Sequence, residues 1–88
     1  MIVRILGDAR YDIPDADAPA IEQLDAVLDD ALQRGDEAAF DAALADLIGQ
    51  VRHDGTVLGD DDLRPSERVV PHEGSSLQEV RDVLDAGV

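Results

Sequence analysis

The side chains that could do chemistry are few and lie far apart in the sequence. The run Asp60-Asp61-Asp62 offers carboxylates, which hard cations prefer, but the alternating ligands and central glycine of a calcium loop are absent. His53 and His72 are the two imidazoles, and with no cysteine in the chain they match no familiar spacing of metal ligands. We therefore predict no metal site and no cofactor. A metal- or ligand-sensing site in the acidic loop stays open as an alternative.

The possible nucleophiles carry no catalytic signature. Ser66, Ser75 and Ser76 lie outside any Gly-x-Ser-x-Gly pattern, and none has an evident base beside it. Ser76 instead begins a Ser-x-x-Glu pattern, which is typical of the capping box that opens a helix. The glycines are isolated, so there is no phosphate-binding loop. The sequence predicts no catalytic residues, and hence a protein that is not an enzyme.

The charge of the chain narrows its possible partners. The 88 residues carry a formal net charge of −14, and all seven basic residues are arginine. Such a surface repels the phosphates of nucleic acids and of anionic lipids. The opening residues do not resemble a signal peptide, and no apolar run reaches the roughly 20 residues that span a bilayer. We expect a cytoplasmic protein, from a halophile or a high-GC organism, that binds neither nucleic acid nor membrane directly.

Two apolar periodicities between residues 21 and 51 predict an antiparallel helical hairpin. Apolar residues at three- and four-residue steps lie on one face of a helix. In the first helix they are Ile21, Leu24, Val27, Leu28, Ala31 and Leu32. In the second they are Phe40, Ala43, Leu44, Leu47, Ile48 and Val51. Gly35 can end the first helix in the left-handed conformation, and Asp36 can cap the second.

Short extended runs predict a small sheet beside this hairpin. Residues 1–6 and 10–13 flank the Gly7-Asp8-Ala9 loop and indicate a β-hairpin. Residues 67–71 are the best candidate for a third strand, and residues 56–58 form only a short extended piece. The predicted fold class is α+β, with a three-stranded, mostly antiparallel sheet, an N-terminal β-hairpin, the helical hairpin and a C-terminal helix. The whole chain, residues 1–88, is predicted to be a single domain.

The C-terminal helix is predicted to begin at the Ser76 capping box and to end at Gly87. Its apolar residues recur at helical spacing and are expected on the buried side. They are Leu77, Val80, Val83 and Leu84.

Because the sequence predicts neither catalysis nor metal binding, association with a partner is the function that we expect. A small sheet presents edges, and residues 1–6 or Val69–Val70 could supply one. The candidate partner-binding residues are Ile2, Arg4, Leu6, Val69 and Val70. The helices could alternatively receive a partner helix in a groove. A self-associating structural module, and hence a homo-oligomer, is a further alternative.

Four segments taken together resemble the PspA-associated family, PspAA, which is found beside homologues of phage shock protein A. They are residues 1–7 with Tyr11 soon after, 35–40, 63–71 and 76–81. The resemblance covers nearly the whole chain in order. It implies a cytoplasmic, non-enzymatic accessory protein of a phage-shock or envelope-stress system. Its implied partner is a PspA-like helical membrane-remodelling protein, and we expect docking through the sheet edge or an apolar helix face onto that coiled coil.

Overall fold

The computed structural model describes the backbone of residues 1–86 and the side chains of residues 1–83. Within that range the elements are β1 (Ile2–Ile5), β2 (Arg10–Asp12), α1 (Ala18–Arg34), α2 (Glu37–Asp54), β3 (Thr56–Val57), β4 (Arg68–Val70) and α3 (Leu77–Ala86). The α+β class, the β-hairpin, the helical hairpin and the last helix are confirmed. The predicted helix end at Gly87 and the side chain of Leu84 lie outside what the structure describes.

The sheet is four-stranded and mixed, in the order β3-β2-β1-β4. β1 pairs antiparallel with β2, and β2 pairs antiparallel with β3, whereas β1 and β4 are parallel. The predicted sheet is three-stranded and mostly antiparallel. The prediction is wrong in strand number, and the parallel β1–β4 pair makes the sheet mixed, although two of its three pairings are antiparallel. Residues 58–67 carry the chain from one edge of the sheet to the other, so β4 enters beside β1 in the same direction.

The turn between α1 and α2 forms as the sequence predicts. Gly35 has a φ of 70°, in the left-handed region that favours glycine. The Asp36 carboxylate accepts a hydrogen bond at 3.1 Å from the backbone N–H of Ala39, and so caps α2. The two long helices thus fold back on each other through a turn of only two residues, Gly35 and Asp36.

The core lies between one face of the sheet and the helical hairpin. The sheet contributes Val3, Ile5, Tyr11 and Val70. All six predicted apolar residues of the second helix are buried, because α2 lies against both the sheet and α1. The prediction for the first helix is partly wrong: Val27 is 51% exposed, since the covered arc of α1 is narrower than its apolar arc. None of the described helices is at once long enough and apolar enough to span a bilayer.

Candidate functional site

β4 is an outer strand of the described sheet, next to β1. The carbonyl of Val70 accepts a hydrogen bond at 3.0 Å from the backbone N–H of Leu6, so the backbone of Val70 faces β1. Successive residues of a strand turn their backbone groups to opposite sides. The N–H and C=O of Val69 therefore point away from β1, where residues 1–86 place no further strand.

The register between β1 and β4 separates buried from exposed side chains. Ile5 pairs with Val70, and both lie in the core against the helices. Arg4 pairs with Val69, and both side chains are exposed on the opposite face. Leu6 continues the alternation of β1 and is exposed beside them. This end of the sheet thus presents two apolar side chains and one guanidinium to solvent.

An apolar patch surrounds the free side of β4. Its exposed members are Leu6, Val69 and Val83, with exposed fractions of 43%, 57% and 71%. Pro71 and Val80 are half-buried members of the same patch. We call these five residues the β4-edge patch; with His72, Ser75 and Glu79 they line a shallow depression of about 180 Å³. A contiguous apolar surface of this kind is typical of an interaction site.

A second depression, of about 550 Å³, lies between β4 and α1. Its floor consists of buried or half-buried apolar side chains, and its rim on α1 is acidic. The floor includes Leu28, Leu32 and Phe40, and the rim Glu22, Asp25 and Asp29. Val69, Pro71 and Val80 line both depressions. We call the second one the α1–β4 groove; the two together form one surface astride β4.

A tight turn sets α3 beside β4. In residues 72–75 the carbonyl of His72 accepts hydrogen bonds from both the backbone N–H and the hydroxyl of Ser75, at 3.0 and 2.7 Å. Gly74 takes a φ of 83° within this turn. The hydroxyl of Ser76 then accepts a hydrogen bond at 3.1 Å from the backbone N–H of Glu79, which confirms the predicted cap. α3 follows this turn, and its Val80 and Val83 line the same depression as Val69 of β4.

One carboxylate of the acidic loop, that of Asp62, is held by contacts within the chain. The Asp62 carboxylate pairs with the guanidinium of Arg64 at 2.8 Å, and Arg10 donates to the carbonyls of both residues. The hydrogen bonds from Arg64 lower the pKa of Asp62 to about 2. Among the described residues, no three His, Asp or Glu side chains are placed to hold a metal ion. These contacts therefore hold residues 58–67 against Arg10 of β2.

A second polar cluster joins two loops to α2. Arg52 contacts the carboxylates of Asp8 and Glu73 at 2.9 and 2.8 Å, and the hydroxyl of Tyr11 donates to Asp8 at 3.1 Å. The hydrogen bond from Arg52 lowers the pKa of Asp8 below its usual value. Each charged member has a partner of opposite charge, so the arrangement is that of a structural clamp.

The family of the chain is identified by comparison with known protein families. The family model for PspA-associated proteins, PspAA, matches residues 1–88. The chain belongs to the PspAA family. Comparison with curated proteins gives no match, and comparison with solved structures gives none either. The resemblance seen in four segments of the sequence is confirmed, and the name of the family points to a PspA system.

In this PspAA member the predicted partner-binding residues divide into two groups. Arg4, Leu6 and Val69 lie together at the exposed end of the sheet. Val70 is 1% exposed and packs in the core, whereas Ile2 lies on the same face of β1 as Arg4 but is only 6% exposed. Neither side chain is accessible to a partner in this structure. The expectation that residues 1–6 could form a sheet edge is wrong, because β1 lies between β2 and β4. A role of all five residues in binding stays a prediction.

The sequence also missed part of the PspAA surface. Pro71 and Val80 line both depressions, and Val83 is exposed although its helical spacing predicts burial. The available signal was the apolar face of α3, a helix with few neighbours to cover it. Helical periodicity shows that such an apolar face exists, but it does not show whether the face packs in the core or is exposed for a partner to bind.

Proposed function

We propose that this PspAA chain is a non-enzymatic adaptor in the cytoplasm, within a phage-shock or envelope-stress system. It docks onto a PspA-like helical protein through the surface astride β4. The observation that carries this proposal is the apolar surface made by the exposed and half-buried side chains of the β4-edge patch, which the half-buried Leu32 extends into the α1–β4 groove. An exposed surface of this composition gains free energy when a partner covers it.

Arg4 adds a polar anchor to the proposed surface. It is exposed, pairs in register with Val69, and makes no ion pair within residues 1–83, whereas Arg34, Arg52 and Arg64 each do. Arginine is enriched among the residues that dominate interface affinity, because its planar guanidinium makes several directed hydrogen bonds. A carboxylate or carbonyl of the partner would meet it beside the apolar patch.

The chemistry of the surface supports adaptor function over the metal-sensing alternative. In the acidic loop, Asp62 is already neutralised by Arg64 and lies away from the apolar surface. The strong net negative charge favours an indirect link to the membrane, through a partner that carries basic residues.

Titration calorimetry with a purified PspA homologue from the same organism tests the proposal. The informative variant is Val69→Asp, which places a charge in the middle of the surface. Its matched control is Val57→Asp, at the opposite edge of the sheet, where the valine is similarly exposed at 59%. We expect saturable binding that Val69→Asp weakens more than about tenfold and Val57→Asp by less than about threefold. Equal effects of the two variants would contradict the proposed surface, and no binding by the unmodified chain would contradict the function.

A further inference from the structure

The α1–β4 groove has an acidic rim that the chain itself neutralises only at one of its three carboxylates. Asp25 pairs with Arg68 at 3.3 Å. Glu22 and Asp29 also line the groove, and both are exposed. Neither has a cationic partner within residues 1–83; Asp29 accepts only the side-chain amide of Gln33, at 2.7 Å. One wall of the groove therefore carries excess negative charge directly above an apolar floor.

The free side of β4 is poorly suited to the addition of a partner strand. β4 is only three residues long. Of these, only Val69 turns its N–H and C=O outward, and Pro71 just beyond the strand has no N–H to donate. A partner strand would gain few backbone hydrogen bonds from so short an edge flanked by proline. Binding here must come mainly from side-chain contacts.

We infer that the occupant of the α1–β4 groove is a basic amphipathic helix of the PspA-like partner. Its apolar stripe would lie on Leu32, Val69 and Val80, which are half-buried or exposed in the groove, and lysine or arginine residues beside that stripe would face Glu22 and Asp29. An amphipathic helix lying in a groove makes its contacts through side chains at three- and four-residue steps. This inference rests on the proposed function and adds the type of segment, its charge and its orientation toward α1.

A charge reversal on the rim tests the inference with a control of equal net charge. The test variant is Glu22→Lys with Asp29→Lys, and the control is Asp41→Lys with Asp46→Lys on the exposed side of α2. Calorimetry uses the same PspA homologue at about 0.05 M and about 1 M salt, because salt screens exposed charges. We expect the test variant to weaken binding about tenfold more than the control at low salt, and less than about threefold more at high salt.

The outcomes separate this inference from the proposed function. If Val69→Asp weakens binding but the rim variant and the control behave alike, the surface is used and the basic helix is wrong. If the unmodified chain does not bind, the proposed function itself fails. If the rim variant binds more tightly than the unmodified chain, the partner presents acidic residues and the assigned charge is contradicted. Thermal unfolding of each variant, followed by circular dichroism, verifies that it is folded.

Discussion

The guanidinium of Arg81 donates a hydrogen bond at 3.0 Å to the backbone carbonyl of Leu32, and so ties α3 to the end of α1. Carbonyls at the C-terminal end of a helix attract positive charge, because the last turn lacks intrahelical donors and carries the negative end of the helix dipole. The apolar anchors of α3 among the described side chains are the buried Leu77 and the half-buried Val80. The position of α3 beside β4 therefore depends strongly on this contact.

Replacement of Arg81 by alanine is predicted to loosen α3 while leaving the rest of the fold intact. Loss of a charge-assisted hydrogen bond should lower the free energy of unfolding by about 1 kcal/mol. Amide hydrogen exchange in residues 77–83 should become about fivefold faster, since the local opening free energy falls by that amount. Arg34→Ala, which removes exposed ion pairs to Asp30 and Asp36, is the control. Unchanged exchange in α3 would show that Arg81 does not hold it.

The core prediction concerns Phe40, which is fully buried between α2 and its neighbours. Phe40→Ala should lower the free energy of unfolding by about 3–5 kcal/mol through lost burial and an unfilled cavity. Val27→Ala, at an exposed position of α1, should change it by less than about 0.5 kcal/mol. Urea denaturation measures both. If Phe40→Ala does not fold, Phe40→Leu is the alternative variant, and it should lower the free energy of unfolding by about 1 kcal/mol. A decrease for the Phe40 variant no larger than that for Val27→Ala would contradict the core as described.

Acid should weaken the ion pair between Asp62 and Arg64 in a defined pH range. The pKa of Asp62 is lowered to about 2 from its ordinary 3.8 by hydrogen bonds from Arg64. A depressed pKa in the folded state means that its contribution to stability is present above pH 3.8 and is lost as the pH falls toward 2. Asp62→Asn should therefore lower the melting temperature at pH 6, and the difference from the unmodified chain should vanish by about pH 2.

Asp61→Asn is the control for this pH dependence, because Asp61 lies in the same loop and makes no ion pair within residues 1–83. Its melting temperature should follow that of the unmodified chain over the whole pH range. If the difference in melting temperature between Asp62→Asn and the unmodified chain stayed the same from pH 6 down to about pH 2, the stabilisation by Asp62 would not depend on its charge.

Arg4 should contribute to partner binding without contributing to the fold. Arg4→Ala is predicted to weaken binding of the PspA homologue about tenfold, since an arginine at an interface can lose more than about 1 kcal/mol on truncation. Its melting temperature should change little, because Arg4 is exposed and unpaired within the described residues. Arg4→Lys, which keeps the charge but not the planar fork, should retain part of the affinity. Full affinity of Arg4→Ala would exclude Arg4 from the interface.

Local sequence patterns predicted those features that depend on neighbours in the chain. The helical hairpin, the left-handed Gly35, and the caps at Asp36 and Ser76 all form as expected, because each is stabilised by contacts within a few residues. The order and direction of the strands depend instead on where residues 58–67 run, and no short-range pattern encodes that path. The parallel pairing of β4 with β1, and the pairing of the extended piece at Thr56–Val57 with β2 as a fourth strand, are not predicted for this reason.

The candidate surface was predictable only in part, because spacing gives the face of an element and not what covers it. Alternation in β1 identifies Leu6 and Arg4 as sharing one face, but it does not show which face packs on the helices. Val70 was therefore grouped with Val69, although the structure buries one and exposes the other. Val83 was expected in the core for the same reason, and its exposure next to Val69 becomes visible only once α3 is placed beside β4.

Hydrogen exchange of the chain, alone and saturated with a PspA homologue, tests the central claim most directly. The N–H of Val69 points away from β1, so it should exchange quickly in the free chain and more slowly once a partner covers β4 and excludes water from it. The account predicts slower exchange on binding in residues 67–72 and 77–83, with no change in β3 at Thr56–Val57. Slower exchange confined to β3 or to the exposed side of α2, with β4 unaffected, would contradict it.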